Sequence, residues 1–411
     1  MTLTKISLSA AFWLGLLKVV IKLFSFIKLI VIARILTPAD LGLFGIVLLP
    51  YGLVEVMTES GVNQALIQTR KKLSQYLGSA WLVFIIRGFF ISLVLFLSAP
   101  LISRFYQLDL TKMIRIISLT PLLKGLVNPA IVVFRKELRY KREFVFQSLA
   151  SVTESVATIV LVYWLKSVTA LALGVMIGGL TTLFISFLFI QLPKFTASLK
   201  KIKELLNYGK WVTLGTFISY LNDQGDDFLV SKSLGAYSLG LYQTAFKISN
   251  LPTTQGAGLI YMIIFPIFSS IQTDKVRLKR GLIKALLVTF LLSLVFVITV
   301  YFFSPLLIKV FLGSAWLAII PVLNVLLIYA LTRPLISVSS AVFDAVGQPQ
   351  IVAGINLLRF LVMLILLFPL TRLFDIVGTA WAVVLAQVSV YPWFLINLKK
   401  TLSDSTNLER S

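Results

Sequence analysis

The chain has 411 residues, 58% hydrophobic and 13% charged, with 38 Lys and Arg against 16 Asp and Glu, a net charge of +22 and a mean hydropathy of +0.95. Soluble domains are roughly 45–50% apolar and about 25% charged, so the composition excludes a soluble globular domain, a disordered chain and a disulfide scaffold. With no Cys and no His, thiol catalysis, His-based acid–base chemistry and the common zinc sites are excluded too, and any proton coupling must use carboxylates.

A bilayer core takes about 20 apolar residues per helical crossing. Twelve such segments follow in order: Ala10–Ile32, Leu41–Leu66, Tyr76–Ala99, Met113–Phe134, Phe144–Leu165, Val168–Gln191, Asn207–Val230, Leu239–Ile267, Ala285–Phe303, Trp316–Phe343, Ile351–Leu370 and Ile376–Ile396. Lys18, Lys22 and Lys28 inside the first run, and no small-residue cleavage site, argue against a cleavable signal. All connecting loops are short. One set of alternate loops and both tails hold 21 basic residues, including Arg70, Lys194 and the run Arg135–Glu143, and the other set holds 7. The positive-inside rule puts the richer side, with both termini, in the cytoplasm. Most of the positive charge is then a topology signal and an attraction to anionic membrane lipids, not a nucleic-acid patch.

The sequence also repeats itself. At an offset of 198 residues Trp13 meets Trp211, Arg34 meets Lys232, Leu36 meets Leu234, and Leu41-Gly42-Leu43-Phe44 meets Leu239-Gly240-Leu241-Tyr242. Further on, "APLISRFY" (Ala99–Tyr106) parallels "SPLLIKVF" (Ser304–Phe311). This predicts an all-α membrane protein of two six-helix bundles, residues 1–198 and 199–411. An even number of spans in each half makes them parallel repeats around a central cleft, a layout for alternating access.

"IARILTPADLGLFG" (Ile32–Gly45), "DDFLVSKSLGAYSLGLYQTAFKISNLP" (Asp226–Pro252) and "FPIFSSIQTD" (Phe265–Asp274) resemble signatures of polysaccharide exporters in the multidrug/oligosaccharidyl-lipid/polysaccharide flippase superfamily. The resemblance implies a MATE-like fold, a place in the bacterial cytoplasmic (inner) membrane and no enzymatic step. It also implies flipping of undecaprenyl-pyrophosphate-linked oligosaccharide to the outer leaflet for cell-surface polysaccharide such as lipopolysaccharide O-antigen, beside polysaccharide assembly machinery. Many members have fourteen helices; twelve are read here, so no role of the last two carries over.

Charges inside spans are costly and face a cavity or a partner. The basic ones are Lys18, Lys22, Lys28, Arg87, Arg115, Lys124, Lys210, Lys247, Arg333 and Arg359. Arg115 and Lys210 sit near helix ends and can snorkel. The acidic ones are Glu55, Glu59, Glu154, Asp223, Asp226 and Asp227. The surplus of bases favours an anionic cargo, since desolvated phosphate oxygens need charge-assisted donors. Candidate substrate-binding residues are therefore Lys18, Lys22, Lys28, Arg87, Lys124, Lys247, Arg333 and Arg359. On helix 1, Lys18, Lys22 and Lys28 fall within an arc of about 120°. They form a ladder toward the cleft, or Lys18 and Lys22 neutralise Glu55 and Glu59 on the antiparallel second helix.

In "NDQGDD", Asn222, Asp223, Asp226 and Asp227 share a helix face, which suits H⁺ or Na⁺ coupling, a gate or a helix-end ion pair. Glu55 and Glu59 share that candidate role. Lys28 plus 198 is Asp226, so Lys28 is expected to pair with Asp226 or Asp227 across the outer mouth. No metal and no other cofactor is expected. Pro50, Pro121, Pro252, Pro266, Pro321 and Pro334 read as packing kinks. Asn128, Gln243, Asn250, Asn324, Asn356 and Gln387 are groups for sugars or for interhelical bonding. The alternatives are a cation-coupled multidrug or small-molecule exporter on the same fold, a passive scramblase, and a membrane polymerase or ligase. The last needs a sizeable outer loop, and none exceeds about 15 residues by the span reading.

Overall fold

A computed structural model describes residues 3–69, 71–193 and 196–403, with backbone alone for 3–11 and 207–215. Arg70, Lys194, and the side chains of Lys210 and Trp211 lie outside the described residues. Every regular element among them is helical. Two compact units divide at residues 225/226, inside one long helix.

The first unit holds α1 (Leu3–Ile35), α2 (Pro38–Met57), α3 (Val62–Gln68), α4 (Ser74–Tyr106), α5 (Thr111–Leu126), α6 (Val132–Lys136), α7 (Tyr140–Leu165), α8 (Thr169–Phe189) and the start of α9 (Leu199–Ser233). The second holds the end of α9, then α10 (Gly235–Ser249), α11 (Gly258–Ser270), α12 (Lys275–Phe311), α13 (Ile320–Ala345), α14 (Pro349–Ser389) and α15 (Tyr391–Ser403).

By length and apolarity, seven helical stretches among the described residues can cross a bilayer, and nine when each of two bent pairs counts as one. Two long helices, α1 and α9, stand outside that count. The stretch Pro349–Ser403 has 55 residues, far more than one crossing needs. It breaks where expected: Phe374 and Asp375 leave helical geometry, Asp375 at φ 51°.

Local chemistry explains the helix boundaries. Thr37 caps α2: its hydroxyl accepts the Asp40 N–H at 3.3 Å, and the Asp40 carboxylate accepts the Thr37 N–H at 2.8 Å, a reciprocal capping box with Pro38 in the first turn. The repeat's second copy starts α10 differently, with Gly235 at φ +81°. Several segments read as unbroken are not, among them the second, the fourth and the eighth, which breaks at Pro252. The second ends at Met57, because the Thr58 hydroxyl turns back to the Val54 carbonyl and Gly61 takes a left-handed φ of 60°, so α3 is separate. The fourth bends by 66° after Leu126. There Pro129 lacks an N–H and Asn128 accepts from the Ala130 N–H at 3.0 Å instead. Pro50, Pro121, Pro266 and Pro334 stay inside helices and Pro321 lies in the first turn of α13, whereas Pro252 opens a π-helical turn.

Packing in the first unit relies on small residues, which let helices approach closely. Gly174 and Gly178 of α8 face Thr158 and Glu154 of α7, and a Cβ on Gly178 would lie 2.7 Å from Glu154 Cγ. Gly179, turned toward Thr120 and Leu123 of α5, leaves an ordinary 3.4 Å. Gly178→Leu is therefore expected to lower stability by about 2 kcal/mol through overpacking, while Gly179→Ala changes it little. Thermal unfolding of both variants in detergent checks this. At the start of α9, Leu205 is buried with Val62, Leu66 and Tyr76. Nearby, the Glu204 carboxylate accepts from the Tyr76 hydroxyl at 2.7 Å and pairs with Lys71 at 3.2 Å, which together hold it below its ordinary range.

Candidate functional site

Among the described residues of the first unit, three basic side chains within the spans meet carboxylates. Lys28 on α1 donates to Glu154 Oε1 on α7 at 2.9 Å. Arg87 on α4 holds the end of α2: its Nη2 donates to the Glu55 carbonyl at 2.7 Å and to Glu59 Oε2 at 3.1 Å, and its Nε to the Thr58 hydroxyl at 3.3 Å. Lys124 on α5 donates to the Tyr51 hydroxyl at 2.8 Å and to Glu55 Oε1 at 3.2 Å, with its ammonium 5.4 Å from the Tyr51 ring centre.

One expectation is corrected here. Lys28, assigned to Asp226 or Asp227, is held by Glu154 inside its own unit. The cause is geometric: helix periodicity gives the direction of a side chain around its own axis, and the tertiary packing decides which helix stands there. Glu55 is paired with Lys124 and Glu59 with Arg87, which leaves both readings of helix 1 open. Lys18 is half-buried, whereas Lys22 is exposed on α1 and makes no ion pair among the described residues. Arg115 is also exposed, its guanidinium 4.8 Å from the Phe96 ring centre.

In the second unit Asp226 and Asp227 are buried, at 4% and 7% exposure. Asp226 accepts from the Tyr242 hydroxyl through one oxygen and from the Asp227 N–H at 3.0 Å through the other. Asp227 Oδ2 accepts from Gln243 Nε2 at 2.7 Å, and Lys247 acts on the same carboxylate electrostatically. Asp223, one turn earlier on α9, is exposed, so the four-residue polar face divides into exposed and buried members. Arg359 is buried in α14. Arg333 on α13 is half-buried and makes no ion pair among the described residues; next to it the Tyr391 hydroxyl donates to the Thr332 carbonyl at 2.8 Å. No three acidic side chains among the described residues gather to hold a metal ion.

Sequence reasoning passed over Tyr51, Thr58 and Tyr242, which look like apolar or spacer positions in a span. A signal for Tyr242 does exist in the repeat. At the 198-residue offset Lys28 becomes Asp226 and Phe44 becomes Tyr242, so the second copy gains an acceptor and a donor together. Asn128, considered for sugars, is fully buried and bonds the Ala130 N–H and the Ile190 carbonyl, as an interhelical tie.

Comparison with known proteins agrees with this architecture. A family model described as "Polysaccharide biosynthesis protein" matches residues 31–321. The "Lipopolysaccharide biosynthesis protein WzxC" of Escherichia coli (strain K12) is 25% identical over 338 residues, covering 81% of this chain and 68% of that protein. In fold the chain is similar to an inward-facing multidrug resistance MATE family transporter of the MOP superfamily, with TM-score 0.76 and 15% identity over 94% of this chain and 96% of that one. It is equally similar to the lipid II flippase MurJ in an inward closed conformation, with TM-score 0.76 and 16% identity over 94% of this chain and 89% of that one. The match over most of its length, on a fold of many apolar helices, shows that the chain belongs to the polysaccharide biosynthesis protein family, as a multi-pass membrane protein with a MATE-like fold.

Proposed function

We propose that the chain moves undecaprenyl-pyrophosphate-linked oligosaccharide from the cytoplasmic to the outer leaflet of the bacterial cytoplasmic membrane by alternating access. On this reading α1, α9 and both parts of the kinked α14–α15 stretch also cross, giving twelve spans in two halves, 1–198 and 199–411, with both termini cytoplasmic. No covalent step is required.

The observation that carries the reading is the state of the cations. Lys28, Arg87 and Lys124 are satisfied by carboxylates, whereas Lys22 is an exposed cation within an apolar helix that makes no ion pair among the described residues. A lone charge at that depth requires water or an anionic guest, and a diphosphate supplies the complementary charge. Arg333, half-buried in its own unit, makes no ion pair among the described residues either. Family membership supplies the saccharide. The buried carboxylates Asp226 and Asp227, each with a neutral hydrogen-bond donor, are the proposed place for a coupling H⁺ or Na⁺.

Reconstituted vesicles and a defined polyprenyl diphosphate–oligosaccharide test the reading. Wild type is expected to move the lipid, and Lys22→Gln to move it at least about tenfold more slowly, the loss of one hydrogen bond to a charged group. Failure of wild type to move this lipid, combined with transport of a lipophilic cation, would replace the reading with that of a cation exporter.

A further inference from the structure

The bent pair α10–α11 breaks in mid-span. The two helices meet at 40° through a π-helical turn, Pro252–Ala257. Pro252 has no N–H to continue the ladder, and the Gly258 N–H reaches back five residues to the Thr253 carbonyl. The break spells Asn250-Leu251-Pro252-Thr253-Thr254-Gln255-Gly256, a polar run between two apolar helices. Non-helical backbone at membrane depth is tolerated where it is buried in protein or lines a watery cavity, and π-helical turns cluster at functional sites.

The side chains separate into two groups. Asn250 Oδ1 and Thr253 Oγ1 are buried and bond nothing in the protein. Thr254 is exposed; its hydroxyl donates to the Asn250 carbonyl at 3.0 Å and accepts from Gln255 Nε2 at 3.1 Å. Lys247, near the end of α10 and before the break, is also exposed. A purely structural break would bury its polar groups against neighbouring helices. Here Thr254 is exposed and Gln255 half-exposed, and no acidic residue stands between Lys247 and Gly258 in the sequence.

We infer that this break is a saccharide-recognition element, a deepening that rests on the transport reading above. Thr254 and Gln255 exchange hydrogen bonds with the hydroxyl groups of the sugar nearest the diphosphate. Hydroxyl and amide groups suit a neutral, hydroxyl-rich ligand. A cation would select carboxylates, and a bare diphosphate would select bases. The exposed apolar residues that follow, Leu259, Met262 and Ile263, face acyl chains.

Because the chain has no cysteine, Thr254→Cys introduces the sole thiol. In vesicles it is expected to react with a membrane-impermeant maleimide, while Leu259→Cys stays unlabelled. Polyprenyl diphosphate carrying a short oligosaccharide should slow the labelling, and the same lipid diphosphate without sugar should not. In transport, the double variant Thr254→Val, Gln255→Leu should move the oligosaccharide-bearing lipid about tenfold more slowly, as expected for two lost hydrogen bonds. It should still move the sugar-free lipid at the wild-type rate, and Thr254→Ser with Gln255→Asn should retain transport of both. Absence of labelling at residue 254, equal protection by both lipids, or equal slowing of both lipids overturns the inference. Failure of wild type to transport any polyprenyl diphosphate overturns the broader reading instead, so the two failures are distinct.

Discussion

Arg87→Ala is expected to destabilise the protein by about 3 kcal/mol, measured as a fall in thermal midpoint in detergent. That is the low end of the cost of removing one partner from a buried ion pair, because the Arg87 and Glu59 side chains keep 20% and 26% exposure. The loss goes beyond one charge pair. α2 ends at Met57, where the Val54 and Val56 carbonyls accept the Thr58 and Glu59 N–H groups and the Glu55 carbonyl faces Arg87. The Arg87 guanidinium takes the Glu55 carbonyl, while the Thr58 hydroxyl returns to the Val54 carbonyl. Without Arg87 the Glu59 carboxylate loses this cation and the end of α2 loses a cap. Arg87→Lys keeps the charge but not the fork that reaches Thr58, Glu55 and Glu59 together, so it should recover part of the loss. In a double-mutant cycle with Glu59→Gln, the two changes should fall short of additivity by at least about 0.5 kcal/mol. Additive effects would mean that the pair contributes nothing.

The same cluster shows where sequence reasoning stops. The apolar runs and the repeat are legible, since they depend on hydropathy and on spacing. The interruption near Asp375 was legible as a gap between two apolar runs. The bends at Pro129 and Pro252 were visible as prolines, but whether a proline is absorbed, as at Pro121, or breaks the helix depends on what replaces the lost bond. At 128–129 the Asn side chain does so. At 252 the π-helical turn does. Pairings were the least legible. Lys28 and Glu154 are 126 residues apart, and nothing in the spacing of either helix says that α1 packs on α7. Tyr51 and Tyr242 went unseen for a related reason: in a hydropathy pattern a tyrosine is an apolar body, and its hydroxyl matters only once a Lys or Asp is placed beside it.

Neutralising the buried carboxylates should separate coupling from transport. On the coupling proposed above, Asp227→Asn and Asp226→Asn are expected to abolish accumulation of the lipid-linked oligosaccharide in response to an H⁺ or Na⁺ gradient, while slow downhill equilibration between leaflets persists. The stability of these variants distinguishes this role from a structural one. Two adjacent carboxylates, both more than nine-tenths buried, are costly to hold as charges, because desolvation and mutual repulsion act together. Asparagine keeps an acceptor for Gln243 or Tyr242 and removes a charge, so the thermal midpoint should stay level or rise by an amount corresponding to about 1 kcal/mol. A pair kept for structure, as with Arg87 and Glu59, would lower it. Tyr242→Phe should act in the opposite sense: Asp226 loses its hydroxyl donor inside a buried site, at a cost of about 1–3 kcal/mol, with the second carboxylate still in place. If either Asp→Asn variant still concentrates lipid when a gradient is imposed, the driving ion binds elsewhere and the two carboxylates have another role.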